Sequence, residues 1–129
     1  MKVQDFAASI GAGGCLFFCY LFCSGAYTTD ADALKKAAEA IENGTIEKDC
    51  TVSHPERIFY ENAGRRVRIL RKKISSLDEI KEKTPVNFVN GNFNHWVVVE
   101  NGKIVFNSLE KSVCVAKGKP TEARIIEYV

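Results

Sequence analysis

With 129 residues, 46% of them hydrophobic and 26% charged, the chain is long enough to bury one core and too short for two, so residues 1–129 read as a single domain. A formal net charge of +2 excludes a strongly basic surface as the organising feature, so no nucleic-acid partner is expected; no apolar run approaches the ~20 residues of a membrane span. Five cysteines, three of them inside one apolar run, do not make the loop framework of a disulfide-stapled domain, and reduced thiols in a cytoplasm are expected.

Export is the lesser reading of the N-terminus. Lys2, the apolar run and Ser24-Gly25-Ala26 have the flavour of a signal peptide, and Ala12-Gly13-Gly14-Cys15 that of a lipoprotein box, but Gln4, Asp5 and the glycines interrupt the pattern. The first helix is predicted from Gly14 to Ser24, stopped by Gly25, and is apolar nearly all round, which makes it central and covered on most sides. Cys15, Cys19 and Cys23 recur every four residues and share one face. Cys19 and Cys23 read as small core residues. Cys15, in the first turn, sees unpaired backbone N–H groups and the positive end of the helix dipole, which favour the nucleophilic thiolate. Gly13 and Gly14 would let the backbone pass close to a substrate carbonyl.

The second helix is capped by Thr29 or Asp30, packs through Leu34, Ala37, Ala38 and Ile41, and ends at Asn43-Gly44. A third opens on Ser53-His54-Pro55-Glu56, a capping box that gives His54 a structural role, and ends at Gly64. Arg65 to Lys72 follows as an alternating strand whose basic residues read as a solvated face. Ser75-Ser76-Leu77-Asp78-Glu79 opens a short helix reaching about Lys83 and cut off by Pro85. Strands are then predicted at Val86–Val89, Phe93–Val99, Lys103–Phe106, Ser112–Ala116 and Thr121–Tyr128, separated by Gly- and Asn-rich turns. Helices first and strands afterwards define an α+β domain, with N-terminal helices packed on a C-terminal antiparallel sheet.

His95 stands at the mouth of an otherwise apolar strand, Asn94-His95-Trp96-Val97-Val98-Val99. A neutral imidazole beside Cys15 could take the thiol proton. Its other ring nitrogen then needs an orienting acceptor. If Glu100-Asn101-Gly102 form a three-residue loop, His95 falls opposite Asn107; if Asn101-Gly102 alone turn the chain, it falls opposite Ser108. An amide carbonyl suits the role better than a hydroxyl, which favours Asn107 and leaves Ser108 as the alternative.

A cysteine heading a central helix, further helices, the Val67-Arg68-Ile69-Leu70 strand, the Ser76–Ile80 helix, Pro85–Val89 and finally a His-led strand with Asn across a hairpin follow one order. This order resembles the papain-like cysteine peptidases, most of all the small bacteriocin-processing (double-glycine leader) peptidase domains and their free-standing bacterial or phage relatives. The resemblance implies a papain-like fold and a Cys15–His95–Asn107 triad hydrolysing a peptide or protein substrate at a peptide or other amide bond, without a cofactor. It implies an oxyanion-hole glutamine ahead of the cysteine, for which Gln4 is the candidate if Gly11 to Gly14 loop out. The exporter domains orient their histidine with an Asp where this chain has Asn107-Ser108-Leu109. A degenerate module that binds a peptide or partner protein without cleaving it is the alternative. A metal held by Cys15, Cys19 and His95 would need further ligands that no second cysteine pair supplies, so no metal is expected. Nothing in the sequence sets the oligomeric state.

Overall fold

The computed structural model describes residues 2–109 and 112–129. Its first element, α1 (Val3–Gly13), lies ahead of the first predicted helix. Glycines at 11 and 13 weaken its helical signature, while Asp5 in the first turn suits the helix dipole. Gly14 keeps right-handed helical angles (φ −77°, ψ −14°) and donates its N–H to Ile10 O at 3.0 Å, so the chain enters α2 (Cys15–Cys23) with a bend of 78° and without a loop. Gly13 is there for a different contact than the one expected. A Cβ on it would lie 2.7 Å from the Asp49 carbonyl oxygen, so the glycine allows α1 to cross the backbone of the 47–50 turn.

Helix α2 is the centre of the helical core. Phe17, Tyr20 and Leu21 are fully buried, and each such side chain contributes roughly 1.5–3 kcal/mol on leaving water. Cys19 and Cys23 are buried beside them, as expected of small core residues. Helix α3 (Asp30–Glu42) is capped by Thr29, whose hydroxyl accepts the Asp32 N–H at 3.1 Å. It packs through Ala33, Ala37 and Ala40, and Leu34, expected on that stripe, is exposed: three alanines bring the helix close to its neighbour and turn the leucine outward. Helix α4 (Pro55–Ala63) has His54, not Ser53, at its N-cap position. The Ser53 hydroxyl donates to Thr45 O at 3.3 Å, so the predicted capping box does not form; Gly64, at φ 64°, closes the helix as expected.

Five strands follow in one antiparallel sheet: β1 (Val67–Lys73), β2 (Thr84–Asn90), β3 (Phe93–Glu100), β4 (Lys103–Phe106) and β5 (Lys119–Tyr128), in the order β1-β5-β2-β3-β4. The turn before β2 is one 3-10 turn, Leu77–Glu79, closed by a capping box between Ser76 and Glu79, and β2 already runs through Pro85. Segment 112–116, expected as a strand, belongs to a short helix, α5 (Val113–Lys117). The Ser112 hydroxyl accepts the Val115 N–H at 3.4 Å and nucleates a turn against the strand preference of two valines. Pro120 lies where the β2–β5 register shifts, a place where a central strand tolerates a missing donor. Several cations of the basic run are engaged: Arg68 pairs with Glu127 at 3.2 Å, and Arg71 with Glu122 at 2.9 Å.

The sheet separates two apolar clusters. Trp96 and Val98 join α2, α3 and α4 on one face; Val97 and Val99 meet Val86, Phe88, Ile80 and Cys114 of α5 on the other. Among the described residues no single helix is long and apolar enough to cross a membrane.

Candidate active site

The thiol of Cys15 is placed by two constraints. Burial of the next two turns of α2 fixes the helix against β2 and β3, and the α1–α2 bend at Gly14 puts the first turn at the mouth of a cavity of about 620 Å³. Its walls come from α1 (Ile10, Gly11), α2 (Cys15, Phe18), the β2–β3 end (Phe93, His95), Ser108, Leu109 and α5. They are mainly apolar, with Phe93, Leu109 and Val113 exposed around the rim.

His95 is 4% exposed, so its ring polarity must be met by protein. Its Nε2 lies 2.7 Å from Asn107 Oδ1, and the same oxygen accepts the Leu109 backbone N–H at 3.0 Å. A backbone N–H can only donate, so the amide atom facing both groups is the oxygen, and His95 Nε2 must carry the proton. In the neutral ring this tautomer has Nδ1 as the acceptor, which is what a general base requires.

Asn107 reaches His95 by a different geometry from the one that favoured it. Asn101 (φ 51°) and Gly102 (φ 75°) form a two-residue turn that pairs Glu100 with Lys103, so the three-residue loop is not present. Val99 pairs with Ile104, but Val98 pairs with Phe106, leaving Val105 as the extra residue of a β-bulge. Strand β4 then ends, and Asn107 turns its side chain onto the imidazole from outside the ladder. Ser108 lines the cavity, whereas the His95 bond is made by Asn107.

Cys15 does not have the depressed pKa that a helix N-terminus suggests. Burial pushes its thiol up and outweighs the N–H groups of Trp96, Leu16 and Cys15 itself, which act in the opposite direction. Among the described residues no hydrogen bond joins its sulfur to the His95 ring. The resting Cys15 is therefore a neutral thiol, and the sequence-based picture of a standing thiolate is corrected by the strength of desolvation. Gln4 is exposed in the first turn of α1 and is not on the cavity wall: the segment expected to loop out is helical, which holds Gln4 away. Among the described residues no three His, Cys, Asp or Glu side chains gather as a metal would require, so Cys15, Cys19 and His95 do not form a ligand set.

Sequence reasoning missed Cys114, which lines the same cavity; read as part of a strand, it carried no signal of its own. Phe93 and Leu109, both at the rim, were likewise visible only as strand and turn residues.

Fold and site together define an α+β domain with a cysteine-headed central helix and an Asn-oriented histidine sharing one apolar cleft. The chain belongs to the family described as "Protein of unknown function, DUF261", whose match spans residues 1–128. No curated protein and no solved structure matches it.

Proposed function

We propose that this chain is a papain-like thiol hydrolase acting on a peptide or other amide through Cys15, His95 and Asn107. The observation that carries the reading is the His95–Asn107 bond: it engages Nε2 and so reserves Nδ1 for proton transfer on a cleft that the thiol of Cys15 also lines. Because the resting thiol is neutral, proton transfer accompanies attack instead of preceding it. Cys15 sulfur bonds to the carbonyl carbon as its proton passes to His95 Nδ1. The first-turn N–H of Cys15 is the available donor to the developing oxyanion. The amine leaves with the proton from His95, giving a thioester, and a water deprotonated by His95 then releases the acid and the thiol. Throughout, Nε2–H stays on Asn107 Oδ1 and keeps the ring in place.

The raised Cys15 pKa supports a second reading, in which the cleft binds an extended peptide without cleaving it. A peptide library and an electrophilic peptide probe separate the two. Cleavage and probe labelling at Cys15, both abolished in Cys15→Ala and strongly reduced in His95→Ala, are expected. Binding that persists in Cys15→Ala, with no turnover and no labelling in the parent protein, would replace the hydrolase by the binding module.

A further inference from the structure

Three large apolar side chains stand in solvent around the mouth of the cleft: Phe93 is 73% exposed, Val113 63% and Leu109 48%. They come from β3, from α5 and from the residues after β4, and all three line the cavity that Cys15 and His95 share. Exposed apolar side chains scattered singly are ordinary, but a cluster on the rim of one cavity marks a surface that another molecule covers. Since Cys15 and His95 lie on the same cavity, the molecule that covers this rim is the one on which they act.

Each of the three is held by the fold. Phe93 pairs with Asn90 in the β2–β3 ladder and shares a face of β3 with His95, two residues on, which sets their Cα atoms about 7 Å apart along the strand. Leu109 donates its N–H, at 3.0 Å, to the Asn107 oxygen that also meets His95. Val113 opens α5, whose far end presses on β2: a Cβ on Gly118 would lie 2.6 Å from Val89 O, so only glycine allows that approach. Below the rim, Ile10 and Phe18 continue the apolar wall, and among the described residues none that lines the cavity is charged. Its volume of about 620 Å³ falls among the ~300–1,000 Å³ of sites that enclose a ligand. A charged side chain entering there would leave water without a partner, and two glycines would leave the rim as bare as before.

We propose that the cleft selects a peptide carrying a bulky, uncharged apolar side chain, aromatic or branched aliphatic, within two residues of the scissile bond, and that Phe93 sets this preference. The inference rests on the hydrolase reading of the site, whose substrate class it narrows. An extended peptide advances ~3.3 Å per residue, so a carbonyl placed for His95 brings a side chain one or two residues away over Phe93. The Phe93 ring gives an aromatic side chain a face for offset stacking and an aliphatic one a flat apolar contact. Leu109 and Val113 close the remaining sides of the rim. The preference separates this chain from the domains it resembles, whose leaders present two glycines at the cut.

The test uses the full chain and capped peptides of alternating alanine and serine in which one position at a time carries Phe, Leu, Gly, Lys or Asp, together with a Gly-Gly peptide. Cleavage by the wild type gives kcat/KM, and calorimetry with Cys15→Ala gives Kd. At one position Phe and Leu should exceed Gly, Lys and Asp on the order of 100-fold in both measurements. In Phe93→Ala that advantage should fall below about 10-fold, through KM, with kcat/KM for the Gly peptide unchanged. Phe93→Asp should raise the Lys peptide several-fold, a change of preference that a structural role would not produce. Most of the Phe93 ring lies outside the packed fold, so these variants keep the core, and the wild-type series decides the matter without them. No binding of any Phe or Leu peptide, a Gly-Gly peptide bound or cut as well as the best of them, or equal preference in wild type and Phe93→Ala would overturn the proposal. So would a dimer in sedimentation that Phe93→Asp converts to monomer, since a second copy would then cover the rim. If the peptides bind with this preference and none is cut, the hydrolase reading fails and the apolar selectivity of the cleft stands. If they are cut without preference, the selectivity fails and the hydrolase stands.

Discussion

His95 and Asn107 meet at 2.7 Å although they are not partners in the β3–β4 ladder. The contact depends on the end of β4, where Asn107 Oδ1 gathers two donors, one from the ring and one from the Leu109 backbone. Removing the amide frees the ring to rotate and to exchange tautomers. Asn107→Ala should therefore slow turnover, or probe labelling at Cys15, on the order of 100-fold, while Asn107→Asp keeps an acceptor, retains more activity and shifts the pH profile upward by favouring the imidazolium. Equal rates in wild type and Asn107→Ala would remove Asn107 from the mechanism.

The resting state of Cys15 has its own signature. Since burial raises the pKa above the ordinary value of 9.0, the rate of alkylation by a small neutral reagent should keep climbing beyond pH 9. A plateau near neutrality would instead indicate a thiolate–imidazolium pair.

Alkaline solutions should unfold the protein early. Burial pushes Cys23 up to about 12 from 9.0, and Tyr20 up to about 12 from 10.0. In that range the folded chain keeps protons that the unfolded chain has lost, so stability is complete below about pH 9 and declines as pH rises from there to about 12. The slope per group is at most ~1.4 kcal/mol per pH unit. Melting curves taken across the range should show a shallower decline in Cys23→Ala.

Packing at the end of α5 allows a sharper structural test. Gly118→Ala must displace backbone from Val89 or Cys114, which should cost about 1–3 kcal/mol in urea unfolding. An unchanged midpoint would mean that α5 can move away from β2 freely.

Tyr20 is fully buried, and its hydroxyl faces the Arg124 guanidinium without a hydrogen bond of good geometry. Tyr20→Phe leaves the ring packing, including the edge contact with Phe59, in place and removes an unsatisfied group. Stability should stay level or rise by up to ~1 kcal/mol, checked by the same unfolding measurement.

Much of the architecture is legible in local chemistry. The apolar run of α2, the Thr29 cap, Gly64 and the Asn101-Gly102 turn all act within a few residues of themselves, so the helices and the β3–β4 hairpin could be placed in advance. What escaped depends on distant partners. Helix α1 is supported by the Asp49 carbonyl against Gly13, and α5 by β2 against Gly118; neither contact leaves a mark in the neighbouring residues. Within the site, Cys15, His95 and Asn107 stood out by residue type and position. The neutral state of the thiol did not, because it reflects how much protein covers the sulfur, a property of the assembled cleft.

The bulge at Val105 makes the β4 segment a length gauge. Lys103, Ile104 and Val105 are all exposed, so their identities are open to change. Their number is not: deleting one would draw Asn107 back toward the ladder and away from the imidazole, while the turn and the remaining strand pairs could still form. In this stretch the site is encoded by a count of residues, and a shortened relative could keep every named site residue and still have an unheld histidine.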